Sequence, residues 1–161
     1  MSLKGYLQLQ SIIILSKMDA ESIFSFSSTL AMVGWAVLIV APNWKYTRPI
    51  IQAGLIPLLL GIIYLFLIIQ YFGEAEGGFG SLTDVKSLFE NDYLLLAGWI
   101  HYLAFDLWIG HWEAGDAKKY NIHRLLLIPC QFLTFFFGPI GLLLYILVRN
   151  IKTRKISHEN F

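Results

Sequence analysis

Apolar residues fall in four long blocks, at 23–41, 49–72, 93–110 and 125–148, and polar residues collect in the gaps between them. Each block approaches the roughly 20 residues a helix needs to cross about 30 Å of hydrocarbon. The blocks are too continuous for barrel strands, whose mark is alternation over about ten residues. The pattern therefore predicts an all-α fold, an antiparallel bundle of four transmembrane helices. The gaps are a short turn at 42–48, a Gly-rich acidic loop at 73–92 and a polar loop at 111–124. Connections this short make consecutive helices antiparallel neighbours. Phe72-Gly73-Glu74 and Gly77-Gly78 end the second helix, and Asn91 or Asp92 can cap the third by accepting from a free backbone amide.

The membrane domain spans 18–150, with an N-terminal segment at 1–17 and a basic tail at 151–161 suited to lipid headgroups. The apolar stretch 6–15 is too short to span and no small-residue cleavage site follows it, so both Met1 and Met18 stand as candidate starts.

Composition agrees with the pattern. Apolar residues make up 57% of the chain and charged ones 14%, against roughly 45–50% and 25% in a soluble domain. A net charge of +1 gives no sign of a nucleic-acid partner, and the single cysteine, Cys130, leaves no cysteine cluster for a metal. In a four-span arrangement Lys45, Arg48, Lys118, Lys119 and Arg124 lie on one side, opposite Lys17, Lys86, Arg149, Lys152, Arg154 and Lys155. The positive-inside rule then gives no clean vote. The expectation is a multi-pass integral membrane protein of unresolved topology, and a bundle this small is a candidate homo-oligomer.

Candidate chemistry sits in the run GWIHYLAFDLWIGHWE between Gly98 and Glu113. At about 100° per residue, Phe105, Tyr102, Asp106 and Trp99 follow His101 within about 160°, while Leu96, Ile100, Leu103 and Leu107 fill an aliphatic arc from about 200° to 260°. The aliphatic arc is expected to face lipid and the polar arc the interior. His101, Asp106 and Tyr102 are the candidate catalytic groups, because a histidine and a carboxylate are costly to place in a bilayer. Trp99, Phe105, Gln131, Thr134, Tyr145 and Tyr64 are the candidate substrate contacts. Gln131, Thr134, Gly138, Gly141 and Tyr145 recur at helical spacing on the fourth helix, where a proline frees a carbonyl that something must satisfy. Small and aromatic residues on the second helix (Gly54, Pro57, Gly61, Tyr64, Tyr71) and the first (Ser27, Ala31, Gly34) complete a narrow interior. His111, Glu113, Asp116 and His123 match no zinc spacing and read as solvated loop residues, so no metal is expected.

The run GWIHYLAFDLWIGHWE, followed by IPCQFLTFFFGPIGLLLY at 128–145, resembles the signature of a plant and bacterial membrane-protein family involved in neoxanthin synthesis, the abscisic acid deficient 4 type. FSFSSTLAMVGWAVLIVAP at 24–42 extends the likeness more weakly. The resemblance implies an integral membrane protein whose plant member takes part in converting violaxanthin to its isomer neoxanthin. Such an isomerisation protonates an epoxide oxygen and removes a carbon-bound proton, with no net electron transfer. It needs an acid, a base and a dry slot, and no nucleotide or other cofactor. The chain lacks GxGxxG, a P-loop and paired HxxxH boxes. The expected ligand is a carotenoid or related isoprenoid. Asp106 is the expected acid and His101 the expected base in one enclosed chamber, with Tyr102 orienting either. The competing reading is a non-catalytic lipophile-binding or scaffold protein serving a partner enzyme. A proton-conducting protein is a third class, disfavoured because only Gln131 and Thr134 add polarity to the fourth block.

Overall fold

The computed structural model describes residues 19–41 and 54–153. Residues 1–18, 42–53 and 154–161 lie outside the described residues, and with them the uncertain N-terminal segment, the turn expected at 42–48 and most of the basic tail. Its helices are α1 (Ala20–Val40), α2 (Leu55–Tyr71), α3 (Leu82–Leu88), α4 (Asp92–Lys119), α5 (Arg124–Phe137) and α6 (Pro139–Thr153), with a 3-10 turn at Phe72–Glu74. Among the described residues there is no strand.

The helix starts follow local chemistry. Asp19 accepts from Ser22 N at 3.3 Å at the head of α1, and that bond holds its carboxyl below the usual carboxylate range. Asn91 caps α4, accepting from Tyr93 N at 3.0 Å and Leu94 N at 3.3 Å. The acidic loop is not wholly irregular, since Ser81 caps the short α3 inside it by accepting from Asp84 N.

α4 is the central helix. It runs to Lys119, nine residues beyond the end expected at Gly110. Gly110 does not break it. The glycine lets the Trp35 ring lie against the helix, where a Cβ would collide with that ring. The polar loop shrinks to the few residues between Lys119 and Arg124.

α1 runs parallel to α4: Ser28 Oγ accepts from Trp99 Nε1 at 3.1 Å near one end, and Trp35 meets Gly110 towards the other. α2 is antiparallel, with Tyr71 stacked on Tyr93 at 4.1 Å and Gly54 under Trp108. Ile23, Ala31, Leu38, Ile56, Leu60 and Leu67 close over Leu96, Ile100, Leu103 and Leu107 of α4. The arc expected to face lipid is thus the core. Two aliphatic helix faces leave less void against an aliphatic arc than against one carrying rings and a carboxylate. α2 likewise buries Ile56, Leu60 and Leu67, while on its glycine and tyrosine face Gly54 is buried, Tyr64 and Tyr71 are half-buried, and nothing lies within 4 Å of where a Gly61 Cβ would be.

The fourth apolar block is two helices folded back on each other. Gly138, at φ 43° and ψ −94°, turns the chain between α5 and α6. Pro139 cannot donate the backbone bond that would continue the helix. Gly141 then packs directly on the Thr134 backbone, and Tyr145 shares a buried cluster with Cys130. The stripe Gln131, Thr134, Gly138, Gly141 and Tyr145 is fully buried despite the break, because both arms of the hairpin face α4.

Much of the outer surface is apolar. Val40, Ile69, Leu125 and Ile151 are over 70% exposed, and large apolar side chains of α1, α2, α4, α5 and α6 share that surface.

Candidate functional site

The polar arc of α4 divides between two environments, because the α5–α6 hairpin covers only its C-terminal half. Trp99 and Phe105 are 40% and 60% exposed, and His101 is exposed as well. Asp106, Glu113 and Asp116 lie under the hairpin.

On the open side, Tyr64, Ile68, Phe72, Phe79, Leu88, Phe89, Leu94, Gly98 and His101 line a half-open groove of about 290 Å3. The His101 ring stacks on Phe105 at 4.4 Å and meets Tyr64 at 5.7 Å. Gly98 keeps the groove open towards Phe89, whose ring would lie 3.3 Å from a Cβ there.

On the covered side a polar seam runs down α4. Pro139 has no N–H to offer the Phe135 carbonyl four residues back, and the Tyr102 hydroxyl donates to that carbonyl at 2.8 Å. Asp106 lies beside Tyr102 and directly against Gly138, where a Cβ would come within 2.7 Å of Oδ1. Its Oδ2 is buried with no hydrogen-bond partner. Farther along, Gln131 Nε2 donates to the Gly110 carbonyl at 3.1 Å, and Thr134 Oγ1 donates to Glu113 Oε1 at 2.8 Å. Glu113 is completely buried and its Oε2 has no partner either. At the base the Tyr145 hydroxyl donates to Asp116 Oδ2 at 2.7 Å, and Arg149 Nε meets the same oxygen at 2.9 Å. The Arg149 guanidinium also covers the Tyr120 ring at 4.6 Å and, by hydrogen bonding, holds that phenol below the usual tyrosine range.

His101 and Asp106 therefore do not share a chamber. They sit about 140° apart around α4, one on the groove and one under the hairpin tip, and the groove that His101 lines does not include Asp106. Gln131, Thr134 and Tyr145, expected at a ligand, spend their polar atoms on protein partners. Tyr64, His101 and, through stacking, Phe105 are brought together at the groove. Trp99 instead contacts Ser28, Phe24 and Tyr102.

Residues 22–145 match the ABA DEFICIENT 4-like family. The chain belongs to it. A similar protein is Protein ABA DEFICIENT 4, chloroplastic, from Arabidopsis thaliana, 21% identical over 140 residues that cover 82% of this chain and 62% of that relative. The chain thus spans less than two thirds of the relative's length. No solved structure matches.

In this member of the ABA DEFICIENT 4-like family, Glu113 and Asp116 were the residues misjudged from sequence as solvated loop. Both lie within α4, as does the half-buried His111 from the same reading, and Asp116 keeps only 10% of its side chain exposed. A signal was present: continuing the helical wheel past Gly110 puts Glu113 about 20° from Asp106, on the polar arc. His123 caps α5, accepting from Leu125 N at 3.3 Å. Among the described residues no three His, Cys, Asp or Glu side chains converge as a metal site would require.

The Tyr102 bond is testable by itself. Tyr102→Phe leaves the Phe135 carbonyl unpaired and is expected to destabilise the protein by about 1–3 kcal/mol, read from thermal unfolding in detergent. An unchanged midpoint would mean the carbonyl finds another donor.

Proposed function

We propose that the protein is a multi-pass integral membrane protein that binds a carotenoid or related isoprenoid in the groove between α2 and α4, with His101 as the group that acts on it. Family membership supports the ligand class, and the broad apolar exterior supports residence in hydrocarbon, since soluble monomers rarely expose such continuous apolar area. The observation that carries the reading is the position of His101. Its imidazole forms no hydrogen bond with a described residue and stands in a groove walled by Tyr64, Phe72, Phe79 and Phe89. Aromatic walls suit the ring end of an isoprenoid, and an imidazole can both accept a carbon-bound proton and return it to an oxygen. One histidine can therefore carry a proton-transfer isomerisation without Asp106 in the same space.

The separation of His101 from Asp106 favours a second reading, in which the groove holds the lipophile for a partner enzyme and His101 only hydrogen-bonds an end group.

Co-expression in cells making defined carotenoids, with chromatography of the cell pigments and of pigment carried by the purified protein, tests both readings. Wild type is expected to carry pigment and to convert it to an isomer. His101→Ala is expected to keep the pigment and lose about 100-fold or more in conversion. Gly98→Leu fills the groove and is expected to abolish both. Bound pigment without isomer selects the second reading. Wild-type behaviour in both variants sinks the groove assignment.

A further inference from the structure

The hairpin of α5 and α6 changes how the chain must cross a bilayer. α5 has 14 residues and α6 has 15, so each is about 21–23 Å long at 1.5 Å per residue, short of about 30 Å of hydrocarbon. The fold-back is fixed by contacts far along both arms. Tyr145 and Arg149 reach Asp116, and Tyr145 meets Trp112 at 5.5 Å, so α6 returns to the end of α4 from which α5 set out.

The tip suits hydrocarbon and the base suits water. Phe136, Phe137 and Ile140 are each at least half exposed at the tip. The turn there leaves few backbone groups open: Gly138 N donates to the Thr134 carbonyl at 2.9 Å, Leu142 N to the Gly138 carbonyl at 3.2 Å, and Tyr102 serves the Phe135 carbonyl. Non-helical backbone is tolerated at membrane depth only when protein covers and satisfies it in this way. At the base lie Lys118, Lys119, Arg124, Arg149 and Lys152, and Arg124 donates to the Ile39 and Val40 carbonyls at the end of α1. The sequence just beyond α1 and α6 adds Lys45, Arg48, Arg154 and Lys155. At the opposite end, Asp19, Glu21 and Asp92 line a wide groove of about 580 Å3, and the adjoining connection carries Glu76, Asp84 and Glu90 against Lys86 alone.

We infer that α5 and α6 form a re-entrant hairpin, so that α1, α2 and α4 cross the membrane, the hairpin dips in and returns, and the basic end faces the anionic, cytoplasmic-type leaflet. The inference rests on the membrane reading above. A four-span arrangement divides the basic residues almost evenly. The re-entrant one gathers nine of the chain's 12 lysines and arginines on one side, opposite Lys4, Lys17 and Lys86, and the positive-inside rule becomes decisive. Lys and Arg near that surface also gain from anionic headgroups.

Single-cysteine variants in a Cys130→Ala background, expressed in a bacterial host, decide it. Thr83→Cys, Lys119→Cys and Lys152→Cys are probed with a membrane-impermeant maleimide in intact spheroplasts and in inverted vesicles, after carbonate washing. All three positions are outside the core, so folding is not at stake. The inference expects Thr83→Cys to label in spheroplasts, and Lys119→Cys and Lys152→Cys to label together in inverted vesicles. Labelling of Lys152→Cys with Thr83→Cys restores four spans and overturns the hairpin while leaving the membrane reading intact. Release by carbonate overturns the membrane reading and the hairpin with it.

Discussion

Arg149→Ala is expected to destabilise the protein by about 3–5 kcal/mol, because it leaves a buried carboxylate without its counter-ion. Asp116 and Arg149 keep 10% and 6% of their side chains exposed, and one Asp116 oxygen takes both the guanidinium and the Tyr145 hydroxyl. Removing the arginine strands that charge between α4 and α6 and also uncovers the Tyr120 ring. The loss is a statement about the unpaired carboxylate, not about the worth of the pair. An Asp116→Leu, Arg149→Met double variant, which removes both charges and keeps most of the volume, is therefore expected to recover most of the stability. Unfolding by titration from mild into denaturing detergent, followed by tryptophan fluorescence, measures both. Equal losses in the single and double variants would mean that packing alone holds α6 in place.

How much could be read from the chain depends on what each signal encodes. Apolar length marked the helices, and Asn91 marked the start of α4, because both are local properties of a helix and its cap. The end of α4 was misread because the apolar block stops at Gly110 and polar residues follow, whereas the helix runs on to Lys119 with Glu113 buried. Which face of α4 is buried could not be read locally. The wheel shows two distinct faces, and only the choice of partner helices decides which one is core. An aliphatic face is acceptable to lipid and to another helix alike. The fold-back was hidden for a similar reason: the block at 125–148 has the length of one span, and Gly138-Pro139 is compatible with a kink as well as with a reversal. The stripe from Gln131 to Tyr145 was legible because burial against α4 constrains side-chain size whether the helix is straight or folded. Its polar members gave no hint that their partners would be Gly110, at a helix boundary placed too early, and Glu113 and Asp116 beyond it.

Gly141→Leu is expected to open the hairpin altogether. A Cβ at Gly141 would run into the backbone N and Cα of Thr134 as well as its hydroxyl, and a backbone cannot swing aside as a flexible side chain can. Ordinary overpacking costs about 1–3 kcal/mol. Here α6 must leave α5, taking Tyr145 and Arg149 away from Asp116 and exposing the carboxylates of Asp106 and Glu113, so a loss of more than about 4 kcal/mol is expected. Gly115→Ala is the control. It is a second helical glycine with nothing within 4 Å of its would-be Cβ, and is expected to gain up to about 1 kcal/mol from helix propensity. Size-exclusion chromatography in mild detergent should show Gly141→Leu largely lost from the folded peak and Gly115→Ala unchanged. The link to function is direct: with the tip gone, nothing covers the polar seam, while the groove around His101 on the far side of α4 keeps its walls. Pigment binding by whatever Gly141→Leu protein remains folded would then confirm that groove and hairpin are separate parts of the molecule. Normal yield and unchanged detergent resistance in Gly141→Leu would show that α6 does not lie against α5 at this point.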